Sequence, residues 1–229
     1  MNISDKYVYL IALIPFCIIW TSLYSSRKDL RKEMFSISVL IGVISVLTSY
    51  FWWTKDWWKP QNITGTIVGI EDFIMGFTSG GIMSIAYNYL LKNGYSEYRT
   101  KQRFFSAILL MIFMVFLMFY LLLITGLTSF WSCVTTLMAT ILFLDYSRKD
   151  LLFDSLISGV SMMFISMLFY LVILLLSNTW VDNTYLQGLS GIRFVNIPIE
   201  EFVFWFLAGM WIGPFYEYVY GKKLEDIKE

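Results

Sequence analysis

Seven apolar stretches divide this chain of 229 residues, and each has about the length of one membrane crossing. A transmembrane helix needs about 20 predominantly apolar residues. The uncharged run from Phe104 to Leu144 is too long for one crossing, and Gly126 is its natural break because glycine weakens a helix. The predicted spans are Tyr7–Tyr24, Met34–Trp53, Ile70–Leu91, Phe104–Thr125, Leu127–Leu144, Phe153–Leu176 and Ile197–Tyr220. We therefore predict an all-α, polytopic membrane protein with seven transmembrane helices.

The composition agrees with membrane lipid as the surrounding medium, since 58% of the residues are hydrophobic and 15% are charged. A soluble domain of this size would lack the polar surface to cover itself. The net charge of zero gives no electrostatic basis for binding nucleic acid. The chain contains no histidine, which removes imidazole-held metals and histidine bases, so we expect no metal and no cofactor. Cys17 and Cys133 lie in apolar runs and are expected to be small buried hydrophobes.

The basic residues orient the predicted spans. With the N-terminus outside, the inside segments hold 13 of the 17 Lys and Arg residues and the outside segments hold 4. The positive-inside rule therefore predicts a multi-pass cell-membrane protein with a cytoplasmic C-terminus. Basic residues that include Arg27 and Arg31 follow the first span, which is a stop-transfer pattern rather than that of a cleaved signal peptide.

Two acidic pairs open apolar runs at the outer ends of the third and seventh spans. They are Glu71-Asp72 and Glu200-Glu201. Aromatic residues follow each pair at once and again one helical turn later: Phe73, Phe77, Phe202 and Phe206. A charged group at membrane depth costs roughly 2.5–3.5 kcal/mol and is usually functional. Acids in a first helical turn can also be simple caps, but the repetition favours a site.

An internal repeat relates the two halves of the chain. The Arg-Lys-Asp-Leu quartets at Arg27 and Arg148 are 121 positions apart, and the acidic pairs are 129 apart. Spans one to three would then repeat as spans five to seven, which gives a 3+1+3 parallel repeat. The predicted units are residues 1–98, a connecting helix at 99–126 and residues 127–229. If the two units pack face to face, both acidic helices reach one central cleft.

The geometry of a helix suggests how each acidic pair could work. Adjacent residues point about 100° apart, so one acid can face the cleft while the other makes a supporting hydrogen bond. Pro198 suits the first turn of the helix that carries Glu200-Glu201. Burial and a neighbouring carboxylate favour a protonated acid more than the helix N-terminus opposes it. A protonated acid at neutral pH could serve as a general acid.

Aromatic residues cluster at the outer end of the second span, where most of them are expected to form an interfacial belt. They are Tyr50, Phe51, Trp52, Trp53, Trp57 and Trp58. Aromatic faces can also stabilise a carbocation without trapping it. Trp205 and Phe206, about one turn after Glu201, are the better candidates for that role.

These motifs resemble the lycopene cyclase domain family, the membrane-integral type that occurs as a heterodimer or a fused tandem. The family's mark is a Pro-x-Glu-(Glu/Asp)-x-x-Phe-like motif entering a transmembrane helix, and Pro198-Ile199-Glu200-Glu201-Phe202-Val203-Phe204 fits it. The first repeat, Gly69-Ile70-Glu71-Asp72-Phe73, has Gly in place of Pro. That departure leaves open whether both halves are catalytically competent.

The resemblance implies a carotenoid β-cyclase, an intramolecular lyase or isomerase that acts on lycopene without redox change. Glu200 or Glu201 would donate a proton to the terminal double bond. Glu71 or Asp72 would accept a proton or support the cation. The expected substrate-binding residues are Phe73, Phe77, Phe202, Trp205 and Phe206. The implied partner is a lipid-soluble polyene, and a homo-oligomer is left open.

Three other readings compete with cyclisation. A carotenoid or prenyl-lipid hydratase would begin with the same protonation and let water capture the cation. A small-molecule transporter could use the 3+1+3 plan and buried acids, but spans three, four and six carry few polar residues near mid-membrane. A membrane scaffold would leave the repeated acids without a role.

Overall fold

The computed structural model describes residues 4–177, 179–186 and 189–226. Its helices are Asp5–Ala12 (α1), Ile14–Ser26 (α2), Arg31–Thr48 (α3), Thr54–Asp56 (α4), Ile70–Leu90 (α5), Phe104–Tyr120 (α6), Ser129–Ser147 (α7), Leu152–Leu176 (α8), Trp180–Thr184 (α9), Ile199–Ile212 (α10) and Phe215–Tyr220 (α11). One π-helical turn, Ser49–Trp53, extends α3, and another, Leu121–Thr125, extends α6. Gly126 ends the second turn with a φ of 71°, a conformation that suits glycine, so the predicted break between the fourth and fifth spans is present.

Five helical stretches in the described residues are long and apolar enough to cross a membrane. They are Asp5–Ser26, Arg31–Asp56, Phe104–Thr125, Ser129–Ser147 and Lys149–Leu176. The two acidic helices are not among these five stretches. They are α5, which carries Glu71 and Asp72, and α10, which has only 14 residues because it ends beside Gly213-Pro214. The helical membrane character is confirmed, and the seven-span 3+1+3 arrangement stays a prediction.

The prediction of an all-α fold omitted two short antiparallel strand pairs. Strand β1 (Asn93–Arg99) pairs with β4 (Lys222–Asp226), and β2 (Arg193–Phe194) pairs with β3 (Ile197–Pro198). The β2–β3 turn consists of Val195 and Asn196, which both have positive φ, as a two-residue hairpin of type I′ requires. This hairpin leads directly into α10 and so fixes the start of the second acidic helix.

Close helix pairs form the centre of the molecule, with α3 against α5 and α8 against α10. Small residues allow these approaches, as is common between membrane helices. A β-carbon at Gly209 would lie 2.6 Å from the carbonyl oxygen of Ser158 and 2.8 Å from Cα of Gly159. A β-carbon at Gly80 would lie 2.6 Å from Cβ of Ile41. Both acidic helices are therefore held tightly by a neighbour.

Two arginines form matching contacts at the end of the helices opposite the acidic pairs. Arg27 forms a salt bridge of 2.7 Å with Asp29, and Arg148 forms one of 2.7 Å with Asp150. Each arginine also donates a hydrogen bond, of 2.8 Å and 3.1 Å respectively, to a backbone carbonyl of an acidic helix or its continuation. The carbonyls belong to Asn88 and Glu217.

Candidate functional site

A chamber of about 330 Å³ lies between the acidic helices and reaches both of them. Asp72 from α5 and Glu201 from α10 line it, although only 3% and 4% of these residues are exposed. Most of the remaining wall is apolar or aromatic. Its aromatic part includes Trp52, Trp53, Trp57, Phe204, Trp205 and Trp211. Two carboxyl groups from different halves of the chain therefore share one apolar space.

The two acids of each pair have different surroundings. Asp72 and Glu201 line the chamber, while Glu71 and Glu200 turn to the loops before their helices. The Ile63 N–H donates a 2.7 Å hydrogen bond to Glu71, and the Ser190 N–H donates a 2.5 Å hydrogen bond to Glu200. This division follows the 100° step between adjacent helical residues. The first acid of each pair holds a loop, and the second faces the chamber.

Asp72 accepts hydrogen bonds from two protein donors. The Ser49 hydroxyl donates at 3.0 Å and the Gly69 N–H donates at 2.9 Å. Tyr9 also lines the chamber and interacts with Asp72. Hydrogen bonds donated to a carboxyl oxygen stabilise the carboxylate. Gly69 stands where the second repeat has Pro198, and a proline has no N–H to offer.

Glu201 is held by a pair of tyrosines. The Tyr170 hydroxyl donates to Oε2 of Glu201, and the hydroxyl groups of Tyr170 and Tyr185 lie 2.7 Å apart. Burial raises the pKa of the Tyr185 hydroxyl well above its usual value, and the nearby Glu201 raises it further, so this phenol stays neutral. Oε1 of Glu201 is buried and has no hydrogen-bond partner among the described residues. One oxygen is therefore anchored, and the other is available for chemistry.

Aromatic rings contact one another along the wall between the acids. The ring centroids of Trp57 and Phe204 lie 5.1 Å apart, as do those of Trp53 and Trp57, and both pairs meet edge to face. Phe204 also contacts Trp205 at 5.2 Å. The negative faces of such rings attract cations, so this wall can stabilise positive charge that develops in the chamber.

Four of the predicted substrate-binding aromatics lie outside the chamber lining. Phe73 lies against α3 at Gly42 and close to Phe77, whose ring packs on Trp20 with centroids 5.1 Å apart. The ring of Phe202 packs on the hairpin at Phe194 with centroids 5.9 Å apart. Phe206 lies beside Gly159 of α8. The aromatics next in sequence to the acids therefore pack against neighbouring helices or the hairpin.

Helical periodicity explains this difference. Side chains three, four and seven positions along a helix share the face of the first residue. From Asp72 these positions reach Met75, Gly76 and Ser79. From Glu201 they reach Phe204, Trp205 and Ala208. All six residues line the chamber. Of the predicted aromatics, only Trp205 has this spacing.

Several lining residues carry no signal in the sequence that would single them out. Tyr170 is one tyrosine within an apolar span, and Ser49 is one of several serines near the second span. Their partners Glu201 and Asp72 are 31 and 23 residues away in the sequence. Such pairings depend on how the helices pack, and periodicity within one helix cannot supply them.

A second buried acidic cluster lies at the opposite end of the same helices. Glu33, Asp154 and Glu217 are each at most 2% exposed. The Tyr95 hydroxyl donates to Glu33 and lies 3.4 Å from Glu217, which accepts a 3.2 Å bond from Asn88. Burial, then the neighbouring Glu217, raises the pKa of Tyr95 well above its usual value. None of these residues lines the chamber.

Within residues 4–177, 179–186 and 189–226, no group of three or more His, Cys, Asp or Glu side chains is placed to hold a metal ion. The chamber lining itself offers carboxyl, phenol and aromatic groups.

The fold and the site define a class: a helical membrane protein with two buried carboxyl groups facing one apolar, aromatic chamber. A family model described as lycopene cyclase matches residues 128–219. That segment runs from the start of α7 into α11 and contains Glu200-Glu201. The match confirms the resemblance to the lycopene cyclase family over this part of the chain, and the segment with Glu71-Asp72 lies before it. No curated protein and no solved structure matches the chain.

Proposed function

We propose that this protein is a membrane-integral carotenoid cyclase that converts the linear ends of lycopene into β-rings. The observation that carries the proposal is the shared chamber, in which Asp72 and Glu201 line one apolar space. The lycopene cyclase match over residues 128–219 supports the same conclusion. The product is an isomer of the substrate, so the enzyme would be an intramolecular lyase or isomerase that needs no redox partner.

The unequal bonding of the two acids supports different roles. Asp72 receives hydrogen bonds from Ser49 and Gly69, which stabilise a carboxylate. Glu201 lacks the backbone donor because Pro198 stands at the equivalent position, and the neutral tyrosine pair anchors its Oε2. We assign Glu201 as the proton donor and Asp72 as the anion that supports the cation and accepts the final proton.

The reaction is balanced by one proton gained and one proton lost. Glu201 transfers its proton to the terminal double bond, and a tertiary carbocation forms at the more substituted carbon. The π electrons of the neighbouring alkene attack that carbon, a new carbon–carbon bond closes the six-membered ring, and the positive charge moves to the other carbon of the attacking alkene. Asp72 removes a proton from the ring carbon that formed the new bond, and the double bond of the β-ring forms between that carbon and the cationic carbon. A proton shift from Asp72 to Glu201 restores the starting state.

The aromatic wall would protect the cation while the ring closes. Trp53, Trp57 and Phe204 offer π faces and edges but no strong nucleophile. A dry wall also limits capture by water, which would divert the reaction to hydration. Glu71 and Glu200 would act as positioning residues, because each fixes the loop that leads into its acidic helix.

The matching contacts of the two halves support a fused tandem with a 3+1+3 plan. Positions 129 apart correspond along the acidic helices: Gly80 and Gly209 are both close-approach sites, and Asn88 bonds to Glu217. Arg27 and Arg148 make equivalent contacts. We propose residues 1–98 and 127–229 as the two units, joined by a helix at 99–126. The distribution of basic residues supports an outside N-terminus.

Expression in a bacterial host that accumulates lycopene tests the proposal. Chromatography of the pigments should reveal monocyclic or bicyclic carotenoids in cells with the wild-type protein. A Glu201→Gln/Asp72→Asn double variant, inserted in the membrane at equal abundance, is the matched control and should leave lycopene unchanged. Hydroxylated products would instead indicate a hydratase. Unchanged lycopene with correctly inserted wild-type protein would reject the proposed function.

A further inference from the structure

The chamber wall is also part of the outer surface at one place. Leu47 on α3 and Val115 on α6 both line the chamber, yet they are 50% and 46% exposed. Asp72 and Glu201, by contrast, are almost completely buried. The chamber is therefore accessible from the side of the helical bundle, between α3 and α6.

The packing of the two helices explains this opening. The main packing partner of α3 is α5, whereas α6 packs chiefly on α7. Apolar side chains line both sides of the gap: Ile44, Leu47, Met111, Met114, Val115 and Met118. The nearby hydroxyl of Thr48 donates to the Ser45 carbonyl. Methionine side chains adapt to variable apolar shapes, so this surface suits a sliding hydrocarbon chain.

An aromatic contact limits the opening at the end nearer the acids. The rings of Trp52 and Phe119 meet edge to face with centroids 5.6 Å apart, and they join the π-helical end of α3 to α6. Both α3 and α6 belong to stretches that are long and apolar enough to cross a membrane. The part of the gap farther from the acids than these rings would therefore open on the hydrocarbon core of a bilayer.

The size of the chamber requires space outside it for a carotenoid. A volume of about 330 Å³ lies near the lower limit of the roughly 300–1,000 Å³ found for pockets that enclose drug-sized ligands. A linear carotenoid is comparable in length to the ~30 Å hydrocarbon core. Only one end of such a chain can be enclosed, and the remainder needs an apolar exit.

We infer that the gap between α3 and α6 is a lateral portal through which a linear polyene inserts one end from the bilayer. The unreacted part of the polyene lies in this portal during the reaction, against Leu47 and Val115. This inference rests on the proposed function for the identity of the polyene. It adds the direction of substrate access and two residues that select for an extended, lipid-soluble chain.

Narrowing the portal tests the inference. Val115→Trp should lower the cyclisation of lycopene at least about tenfold, which corresponds to ~1.4 kcal/mol. A short acyclic polyene with the same end group fits inside the chamber, so the variant should retain its conversion within about twofold of wild type. Ile112→Trp is the matched control, because Ile112 lies on α6 with the same 46% exposure but does not line the chamber.

The facing helix provides an independent pair of variants in case Val115→Trp does not fold. Leu47→Trp should reproduce the selective loss, whereas Val43→Trp, at a position 48% exposed and outside the lining, should not. If each portal variant and its control convert lycopene equally well, the portal is rejected. Equal loss of the long and short substrates would also reject it.

A binding measurement separates this inference from the proposed reaction. Lycopene bound in an asymmetric protein site should show circular dichroism in its visible absorption band. If wild-type protein produces this signal but no ring, the proposed function fails, and the portal is judged by the signal alone. In that case the portal is supported if Val115→Trp or Leu47→Trp loses the signal while its control keeps it, and it is rejected if variant and control give equal signals. The portal is also rejected if wild-type protein gives no signal at all.

Discussion

The two glutamates of the second acidic pair are neighbours in sequence but differ in what surrounds them. Glu201 lines the chamber and has one oxygen without a protein partner among the described residues. Glu200 accepts a backbone hydrogen bond from the preceding loop. A position in the sequence does not distinguish these environments, whereas the 100° rotation between neighbours does.

Glu201→Gln should remove the proton donor while keeping the shape of the side chain. General acids contribute typically 10²–10⁴-fold to a rate, so we expect cyclisation to fall by about that factor. Glu200→Gln should lower the rate by about tenfold or less, because only a loop contact weakens. The initial rate of ring formation in membranes with equal amounts of each variant measures the difference. An equal loss in both variants would contradict the assignment of the donor.

Asp72 provides a separate test through its hydrogen-bond donors. Ser49→Ala removes the hydroxyl that bonds to Asp72 at 3.0 Å. A hydrogen bond to a charged group contributes about 1.5–3 kcal/mol, so the rate of cyclisation should fall by roughly ten- to a hundredfold. Ser45→Ala is the matched control, since Ser45 also lines the chamber but Asp72 accepts its serine hydrogen bond from Ser49. Equal rates in the two serine variants would argue against a catalytic carboxylate at Asp72.

At the scale of the helices, the sequence predicted where helices lie along the chain better than it predicted where they are interrupted. Each apolar stretch became a helix or a pair of helices, because membrane burial requires the backbone to bond within the segment. The break between α1 and α2 lies next to Pro15, and the end of α10 lies next to Pro214, so these interruptions have local causes. The pairing of β1 with β4 joins segments more than 100 residues apart in sequence, and no local pattern indicates such a partner.

At the candidate site too, the sequence indicated residues with a local pattern but not their partners on other helices. The acidic pairs and Trp205 could be recognised from their motif and spacing. The tyrosine anchor of Glu201 and the serine donor of Asp72 could not, because they come from other helices. Periodicity would have replaced Phe73 with Met75 and Gly76 as chamber residues, since the latter share the face of Asp72.

Gly209→Ala tests how much the α8–α10 contact stabilises the fold. A β-carbon there would lie 2.6 Å from the Ser158 carbonyl oxygen, and this neighbour is backbone that cannot rotate away. Overpacking of this kind typically costs 1–3 kcal/mol, so the midpoint of thermal unfolding in detergent should fall by several degrees. Val203→Leu adds a methylene to a more exposed position of the same helix and should leave the midpoint nearly unchanged. Similar midpoints for both variants would show that the helices can separate at low cost.

At the scale of the whole molecule, Arg148 connects elements from distant parts of the second half. Its side chain is 3% exposed, and its guanidinium group bonds to Asp150 and to the carbonyls of Glu217 and Lys222. Arg148→Ala should therefore destabilise the protein by about 1–3 kcal/mol, because the carbonyls of Glu217 and Lys222 lose their charged donor. Lys149→Ala, at a neighbouring exposed residue, is the control. Thermal unfolding of the two variants measures this contrast, and a small effect at Arg148 would indicate that its contacts are replaceable.

The size of the chamber has a consequence for the order of products. It accommodates one end of a linear chain, and only Glu201 is assigned as donor, so a symmetrical molecule cannot have both termini closed in one visit. After the first closure the half-finished pigment must withdraw into the lipid, turn end for end and return. The once-closed intermediate should therefore build up early and decline later, and its lifetime should lengthen as membranes become more viscous.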